Sequence, residues 1–339
     1  MQHPAHVLFE ADASTPQVTL AACDHYAGTP QRMQKALLLQ QQLGPVFDIT
    51  FDCEDGAPVG NERQHAMTVA QLINSSGNLF NRVGVRVHDL NHPAFRDDLN
   101  ILISQAGQRI AYITLPKAHS ANQVRSALKQ INQISNSVNI PRPIPVDILI
   151  ETKGALHEVF EIAEIEQVAC LSFGLMDFVA NYRGTIPATV MEPKKQFDHP
   201  IVARAMLDIA IACHTYGKAA AHNVCTDITH TKVIKADTLK ARVEFAYTRK
   251  WSIHPNQIQP ILAAFTPNLE EIQDAIQILL TAQAADWGPI VYTGKLHDRA
   301  SYRYYWMILQ QAQRHLSLLP QEVQTQLTQT FFPGGHKND

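Results

Sequence analysis

Two carboxylates in this sequence are spaced so that they can share one hard cation. Glu151 follows the apolar run Val146–Ile150, and Asp177 closes the polar tip Gly174, Leu175, Met176, Asp177 that follows the apolar run Val168–Phe173. Between the runs, residues 154–165 carry Leu156, Val159, Phe160, Ile162 and Ala163 in a helical rhythm. The unit reads as strand, helix, strand, which makes the two strands parallel neighbours. Adjacent strands lie about 4.8 Å apart, so carboxylates at their carboxyl ends can reach a single ion. Thiolate-free, oxygen-rich ligand sets suit Mg2+ or Mn2+, and magnesium takes one or two carboxylates plus water and substrate oxygens. The plainer reading is that acidic residues end strands because loops are solvated.

Other strand tips carry groups of the same kind. A second strand ends in Asp52, Glu54 and Asp55, a third holds Arg86 and His88, and a fourth ends in Pro116-Lys117. Later tips are His222-Asn223 and His254-Pro255-Asn256. Arg86 can grip a substrate carboxylate through two parallel hydrogen bonds, or serve as a structural ion pair with Glu54 or Asp55. Lys117 suits charge neutralisation or substrate contact, with a Schiff base as the alternative. His222 and His254 read as packing or supporting groups more readily than as ligands.

These tips need a scaffold that gathers strand ends. Strand-like runs fall at 18–23, 47–53, 83–87, 110–115, 146–150, 168–173, 218–222 and 251–253, with helical runs between them. The helices fall near 30–42, from 61, from 93, at 121–134, at 154–165, at 201–216 and at 231–247. Eight strands, each followed by a helix, over about 250 residues predict an α/β fold of the (β/α)8 barrel type, whose active site lies at the carboxyl ends of the strands. No glycine-rich dinucleotide turn follows any strand, which argues against an open doubly wound sheet. Helical runs at 268–285 and 300–317 exceed the barrel's needs. The expected division is therefore a barrel over 1–265 and a C-terminal helical extension over 266–339.

The bulk properties narrow the function classes. The chain has 339 residues, 45% of them hydrophobic, enough for a large core. A formal charge of -3 gives no electrostatic case for nucleic acid or an anionic membrane. No apolar run is long enough to span a bilayer, and the opening MQHPAHVLFEADAS lacks the pattern of a secretory signal. The five cysteines, with no CxxC, fit buried free thiols in a reducing cytoplasm. Cys53, beside acidic residues at a strand end, has a reactive thiol as its second reading.

The segments FDCEDGAP, VGVRVH, ITLPKA, ILIETKGAL, SFGLMDF, KWSIHPNQI and YTGKLHD occur in that order from about residue 48 to 298. In them the chain resembles the citrate lyase β-subunit/malyl-CoA lyase family, among the HpcH/HpaI-type aldolases of the phosphoenolpyruvate/pyruvate barrel superfamily. The resemblance implies Glu151 and Asp177 as magnesium ligands and Arg86 on the carboxylate or enolate end of a small keto-acid unit. It implies Glu54 and Asp55 as an acidic pair bordering the site, with Lys117 on the same face. It also implies Asp298 as an acidic residue placed over a neighbouring subunit's site, in a homotrimer or homohexamer lidded by the C-terminal segment.

Three positions depart from that pattern. Met176 stands where the family commonly has Glu. VTLAACDHYAGTP replaces an arginine-led strand ending in VPG, and residues 181–198 form an insertion.

The expected activity is Mg2+-dependent, reversible Claisen or aldol cleavage of a hydroxy-carboxylic acid or its CoA thioester, of the malyl-, citramalyl- or citryl-CoA type. In that reading Gly174 lets backbone N–H groups approach the substrate, and Asp298 moves the proton. The alternatives are an aldolase or thioesterase acting on a related substrate, or a non-catalytic metabolite-binding barrel.

Overall fold

The computed structural model describes residues 3–9 and 20–333. Its contacts divide the chain into two compact units, residues 17–265 and residues 1–16 with 266–339. Helix α1 (Pro4–Leu8) belongs to the second unit and comes first in the chain.

The larger unit alternates strands and helices. Its strands are β1 (Cys23–Ala27), β2 (Asp48–Asp52), β3 (Val83–Arg86), β4 (Ile110–Leu115), β5 (Val146–Ile150), β6 (Val168–Phe173), β7 (Ala219–His222) and β8 (Arg249–Ser252). The helices around them are α2 (Pro30–Leu43), α3 (Glu62–Asn74), α4 (Phe95–Ala106), α5 (Ala121–Ser137), α6 (Lys153–His157) and α7 (Val159–Glu164). They continue with α8 (Leu175–Ala180), α9 (Pro200–Thr215), α10 (Thr231–Phe245) and α11 (Ile258–Phe265). The eight strands run parallel and close into a barrel, β1 pairing with both β2 and β8. The expected barrel is the observed one, and β4, β5 and β6 fall on the residues that the apolar runs mark.

Two strands lie elsewhere than expected. The sequence predicts the first at 18–23, of which Val18 and Thr19 lie outside the described residues; β1 instead starts at Cys23 and runs through Asp24 and His25. The eighth starts at Arg249, before the apolar run. The cause is a polar layer inside the barrel, where branched aliphatic side chains usually dominate. Arg249 Nη2 lies 2.9 Å from Asp24 Oδ2, and Arg249 Nη1 bonds Asp48. Thr50 and Tyr112 donate to Asp24 at 2.8 and 3.0 Å, and Arg82 pairs with Asp48 at 2.7 Å. A glycine makes this layer fit: a Cβ at Gly84 would overlap the Tyr112 ring. The single helix expected at 154–165 is broken at Glu158 into α6 and α7.

The smaller unit is built on helices α12 (Leu269–Ala284), α13 (Arg299–Arg314) and α14 (Gln321–Thr330), with the hairpin β9 (Ile290–Tyr292) and β10 (Lys295–His297) between the first two. Asn268 and Glu271 form a capping box that starts α12. Thr293 and Gly294, both with positive φ, turn the hairpin. Ile272, Ile276, Leu279, Tyr302, Trp306 and Leu309 share one apolar core with Leu8 of α1. Arg303 Nε donates to the Leu8 carbonyl at 2.8 Å. Helix α1 thus packs with the extension, because Leu8 is buried in the extension's core. Among the described residues, no helix is long and apolar enough to cross a membrane.

Candidate active site

Parallel register sets the strand tips side by side. Asp52 pairs with Arg86 across β2 and β3, and Arg86 with Thr114 across β3 and β4. Ile150 pairs with Phe173, so Glu151 and Gly174 stand together just beyond the ladder of β5 and β6. Asp177 follows in the first turn of α8.

Arg86 is buried and held on several sides. Its Nε and Nη2 donate to Asp52 at 2.8 and 2.7 Å, and its Nη1 lies 3.0 Å from Glu54 Oε2. Its Cζ sits 4.8 Å from the centroid of the Tyr26 ring. Burial opposes the charge, but the fields of Tyr26, Asp52 and Glu54 keep Arg86 firmly protonated. The fork edge expected to grip a substrate is therefore taken by Asp52. What Arg86 can offer a ligand is its remaining Nη hydrogens.

Glu54 also receives a hydrogen bond from Lys117 Nζ at 2.6 Å, and Lys117 reaches Asp55 Oδ2 at 3.0 Å. Burial raises the Glu54 carboxyl above the usual range, against the pull of Arg86 and Lys117. Asp55 is lowered, because the Lys117 hydrogen bond and charge outweigh its burial. Lys117 is partly buried, which disfavours its charge, yet Glu54 and Asp55 hold it above the ordinary lysine range. A Schiff base needs a neutral amine, so this environment does not favour that alternative. The structure thus joins Arg86, Glu54, Asp55 and Lys117 in one charged network.

Lys117 adds a contact that sequence reasoning missed. Its φ of 51° is left-handed, and its backbone N–H donates to Glu151 Oε1 at 2.6 Å. The other Glu151 oxygen lies against Gly174, where a Cβ would overlap it. Gly174 makes room for a carboxylate of the protein itself. Burial first, and the charge of Asp177 second, push the Glu151 carboxyl up to about 8. A buried carboxylate at a strand tip, facing the charge of a partly buried one in the first turn of the next helix, with only oxygen donors, matches what magnesium takes from a protein. Among the described residues, no group of three or more His, Cys, Asp or Glu side chains is placed to hold a metal.

Several named residues lie outside this cluster. Asp298 is the N-cap of α13, accepting from the Ala300 and Ser301 N–H groups. His222 is buried, with Nδ1 2.7 Å from Lys250 Nζ and its ring stacked on Phe197. His254 caps the short turn after β8 by accepting from Asn256 N–H. His88 is fixed by Asp98, its Nδ1 2.6 Å from a carboxylate oxygen. Cys53 is buried, and burial with the Asp98 and Asp52 charges pushes its thiol well up, so the reactive-thiol reading is not supported. The insertion at 181–198 packs on the barrel wall: Gln196 bonds both Asp237 and Asn223, and Phe197 lies over His222.

Residues 34–255 match the model of the HpcH/HpaI aldolase/citrate lyase family. The chain belongs to that family. It is an enzyme of this carbon–carbon lyase family, whose members among its relatives carry lyase names. A solved citrate lyase from Burkholderia xenovorans LB400 is 51% identical with a TM-score of 0.85, covering 95% of this chain and 98% of that one. An L-malyl-CoA/beta-methylmalyl-CoA lyase of Cereibacter sphaeroides is 26% identical over 278 residues, 78% of this chain and 87% of its own. CitE of Mycobacterium tuberculosis, solved with magnesium, acetoacetate and coenzyme A, has the same fold at 19% identity and a TM-score of 0.69. That match covers 87% of this chain and 99% of the other. Within this lyase fold, Met176 is partly exposed beside Asp177.

Two residues of the site were not legible in advance. Asp52 appeared only as one acidic residue among three, and nothing in sequence marks which of them faces Arg86. Tyr26 lay beyond the expected first strand.

Proposed function

We propose that this lyase performs Mg2+-dependent, reversible Claisen or aldol cleavage of a hydroxy-carboxylic acid carried as a CoA thioester, of the malyl-, citramalyl- or citryl-CoA type. The observation that carries the reading is the buried Glu151 carboxyl beside Asp177, raised to about 8, next to an arginine network. A cation held by these two residues would relieve their repulsion and the burial of the Glu151 charge. The malyl-CoA lyase relative supports a thioester substrate.

In this reading Glu151 and Asp177 hold the ion. Bound there, it supplies Lewis acidity and an anchor for the oxygens of a 2-oxo or 2-hydroxy acid. The Lys117 N–H fixes the orientation of Glu151, and Gly174 leaves the space that Glu151 fills. Arg86, immobilised by Asp52 and Glu54, directs its free Nη hydrogens at the oxygen that gains charge as the carbon–carbon bond breaks. Because Arg86 is already oriented, little rearrangement is needed when that charge appears. Lys117 keeps Glu54 and Asp55 from repelling each other. Asp298 is the proton-transfer group, reaching the site of a neighbouring copy in a homotrimer or homohexamer.

The test pairs a binding measurement with an assay. Calorimetric titration with Mg2+ should show binding in the wild type and none in Glu151→Gln or Asp177→Asn, with circular dichroism unchanged. Wild-type affinity in both variants would remove the metal assignment. Malyl-, citramalyl- and citryl-CoA should then be offered with Mg2+ and assayed for 2-oxo acid release. Thioester hydrolysis without carbon–carbon cleavage would point to the thioesterase alternative.

A further inference from the structure

Glu151 and Asp177 stand on different elements, and both lie beyond the strand ladder. Pairing of β5 with β6 ends at Ile150 and Phe173, and the Gly174 N–H then bonds the Ile150 carbonyl at 3.2 Å. Asp177 is carried by α8, which is six residues long. A helix that short is not stable by itself, so contacts to its neighbours set where Asp177 stands. The charge of Asp177 also opposes that of Glu151. Keeping the two residues in register before an ion arrives therefore requires a tether.

One side chain joins them. Asn181, the C-cap of α8 and the first residue of the segment 181–198, is partly buried. Its Nδ2 donates to the Asp177 carbonyl at 2.8 Å and to the Glu151 carbonyl at 3.4 Å. Both acceptors are carbonyl oxygens, so the amide must present its nitrogen, and both hydrogens of that nitrogen are used. The next residue repeats the connection. The Tyr182 ring packs on Phe178 of α8 with centroids 5.2 Å apart, and the Nζ of Lys153, which follows Glu151 and Thr152, lies 5.6 Å from the Tyr182 ring centroid. No step of the proposed cleavage uses Asn181.

We propose that Asn181 is a positioning residue that presets the separation of the two metal carboxylates. The inference rests on the assignment of Glu151 and Asp177 as Mg2+ ligands. Mg2+ demands near-octahedral geometry at about 2.0–2.1 Å, whereas Ca2+ accepts flexible sets of about six to eight oxygens. A tether on the backbone of both ligands therefore favours the smaller and stricter ion. Removing a group that orients metal ligands typically costs about tenfold to hundredfold in metal affinity.

Two substitutions separate the bridge from the helix cap. Asn181→Leu removes both bonds at similar volume. Asn181→Ser keeps a bond within α8, since a serine hydroxyl reaches the carbonyl four residues back, but cannot also span to Glu151. Each variant is titrated by calorimetry with Mg2+ and separately with Ca2+, and circular dichroism and urea unfolding check the fold. Asn181→Ser carries the test alone should Asn181→Leu unfold. Mg2+ affinity should fall about tenfold or more in both variants, and Ca2+ affinity about threefold or less, so the preference for Mg2+ shrinks. Wild-type Mg2+ affinity in Asn181→Ser would leave Asn181 a helix cap, and equal losses for the two ions would mean a general loosening of the site. Either result overturns the proposal. If Glu151→Gln loses Mg2+ binding and the Asn181 variants keep it, the positioning role fails alone. If Glu151→Gln binds Mg2+ like the wild type, the metal assignment fails and this inference with it.

Discussion

Arg86 and Asp52 face each other through two parallel hydrogen bonds of 2.8 and 2.7 Å, both partners buried. Removing one member of a buried ion pair leaves the other charge uncompensated, at a cost of about 3–5 kcal/mol. Asp52→Ala should therefore lower unfolding stability by about that much in urea titrations, and release the arginine from its orientation. Arg86→Lys keeps a charge but cannot reproduce the fork. It should lose about 1.5–3 kcal/mol of charge-assisted bonding, a drop of about tenfold to hundredfold in kcat/KM. An unchanged kcat/KM in Arg86→Lys would reduce Arg86 to a structural ion pair.

Gly174→Ala tests the packing of the metal carboxylate. The added Cβ would overlap Glu151, so the carboxylate must move off the position that the Lys117 N–H fixes. Calorimetry should show Mg2+ affinity reduced by about tenfold or more, since a loss of roughly 1.4 kcal/mol is already tenfold. Wild-type affinity would mean that Glu151 is not a ligand in this orientation.

Asp147 on β5 gives a pH signature in stability. It is buried, accepts from Ser172 Oγ at 2.9 and 2.8 Å, and is pushed to about 6, by burial first, with Asp24 adding to it and Arg249 opposing. The folded carboxyl therefore holds its proton more tightly than the unfolded one, whose value is 3.8. Its stabilising contribution is complete below about pH 4 and is lost as pH rises through about 6. At about 1.4 kcal/mol per pKa unit, the loss is about 3 kcal/mol. Asp147→Asn should gain stability relative to wild type between pH 4.5 and 7 in urea unfolding. A constant difference between the two proteins across that range would contradict it.

Asp298 separates capping from chemistry by choice of substitution. Asn caps a helix about as well as Asp, whereas Ala costs about 0.5–2 kcal/mol. Asp298→Ala should lower the melting temperature, and Asp298→Asn should keep it. If the carboxylate moves a proton in a neighbouring site, Asp298→Asn also loses turnover. Mixed oligomers of Asp298→Asn and Glu151→Gln, reassembled after dissociation, should then recover part of the activity. No recovery in verified mixed oligomers would place Asp298 in its own subunit's site or outside catalysis.

What the sequence revealed of the barrel followed the apolar runs. β4, β5 and β6 are mostly hydrophobic, interrupted only by Thr114, Asp147 and Ser172, and their boundaries were readable. β1 and β8 carry Asp24, His25, Arg249 and Lys250 into the interior, where single-sequence patterning expects loops. Arg249 meets Asp24 and Asp48 inside the barrel, the latter over a separation of 201 residues, while Lys250 pairs with Asp237 on α10 and His25 bonds Ser252. The Glu151/Gly174 adjacency was readable as neighbouring strand tips. The Lys117 N–H that orients Glu151 was not, because it depends on a left-handed backbone at a non-glycine residue. The helices α12 and α13 were visible as periodic runs at 268–285 and 300–317. The attachment of α1 to those helices was not, because five residues with one buried leucine carry no address.

The barrel's first and last strands are joined by charge as well as by their shared ladder. During synthesis from the amino end, β1 leaves the ribosome long before β8. Arg82 meets Asp48 early, but the cation bonded to Asp24 is Arg249. Until Arg249 emerges, drawing Asp24 out of water carries the full penalty of an uncompensated buried charge. An open strand edge is an invitation to pair with another chain, and a charge pointing inward discourages that pairing. β8 supplies both the closing edge for β1 and the cation that pairs with Asp24, so closing the barrel and neutralising that aspartate depend on the same strand.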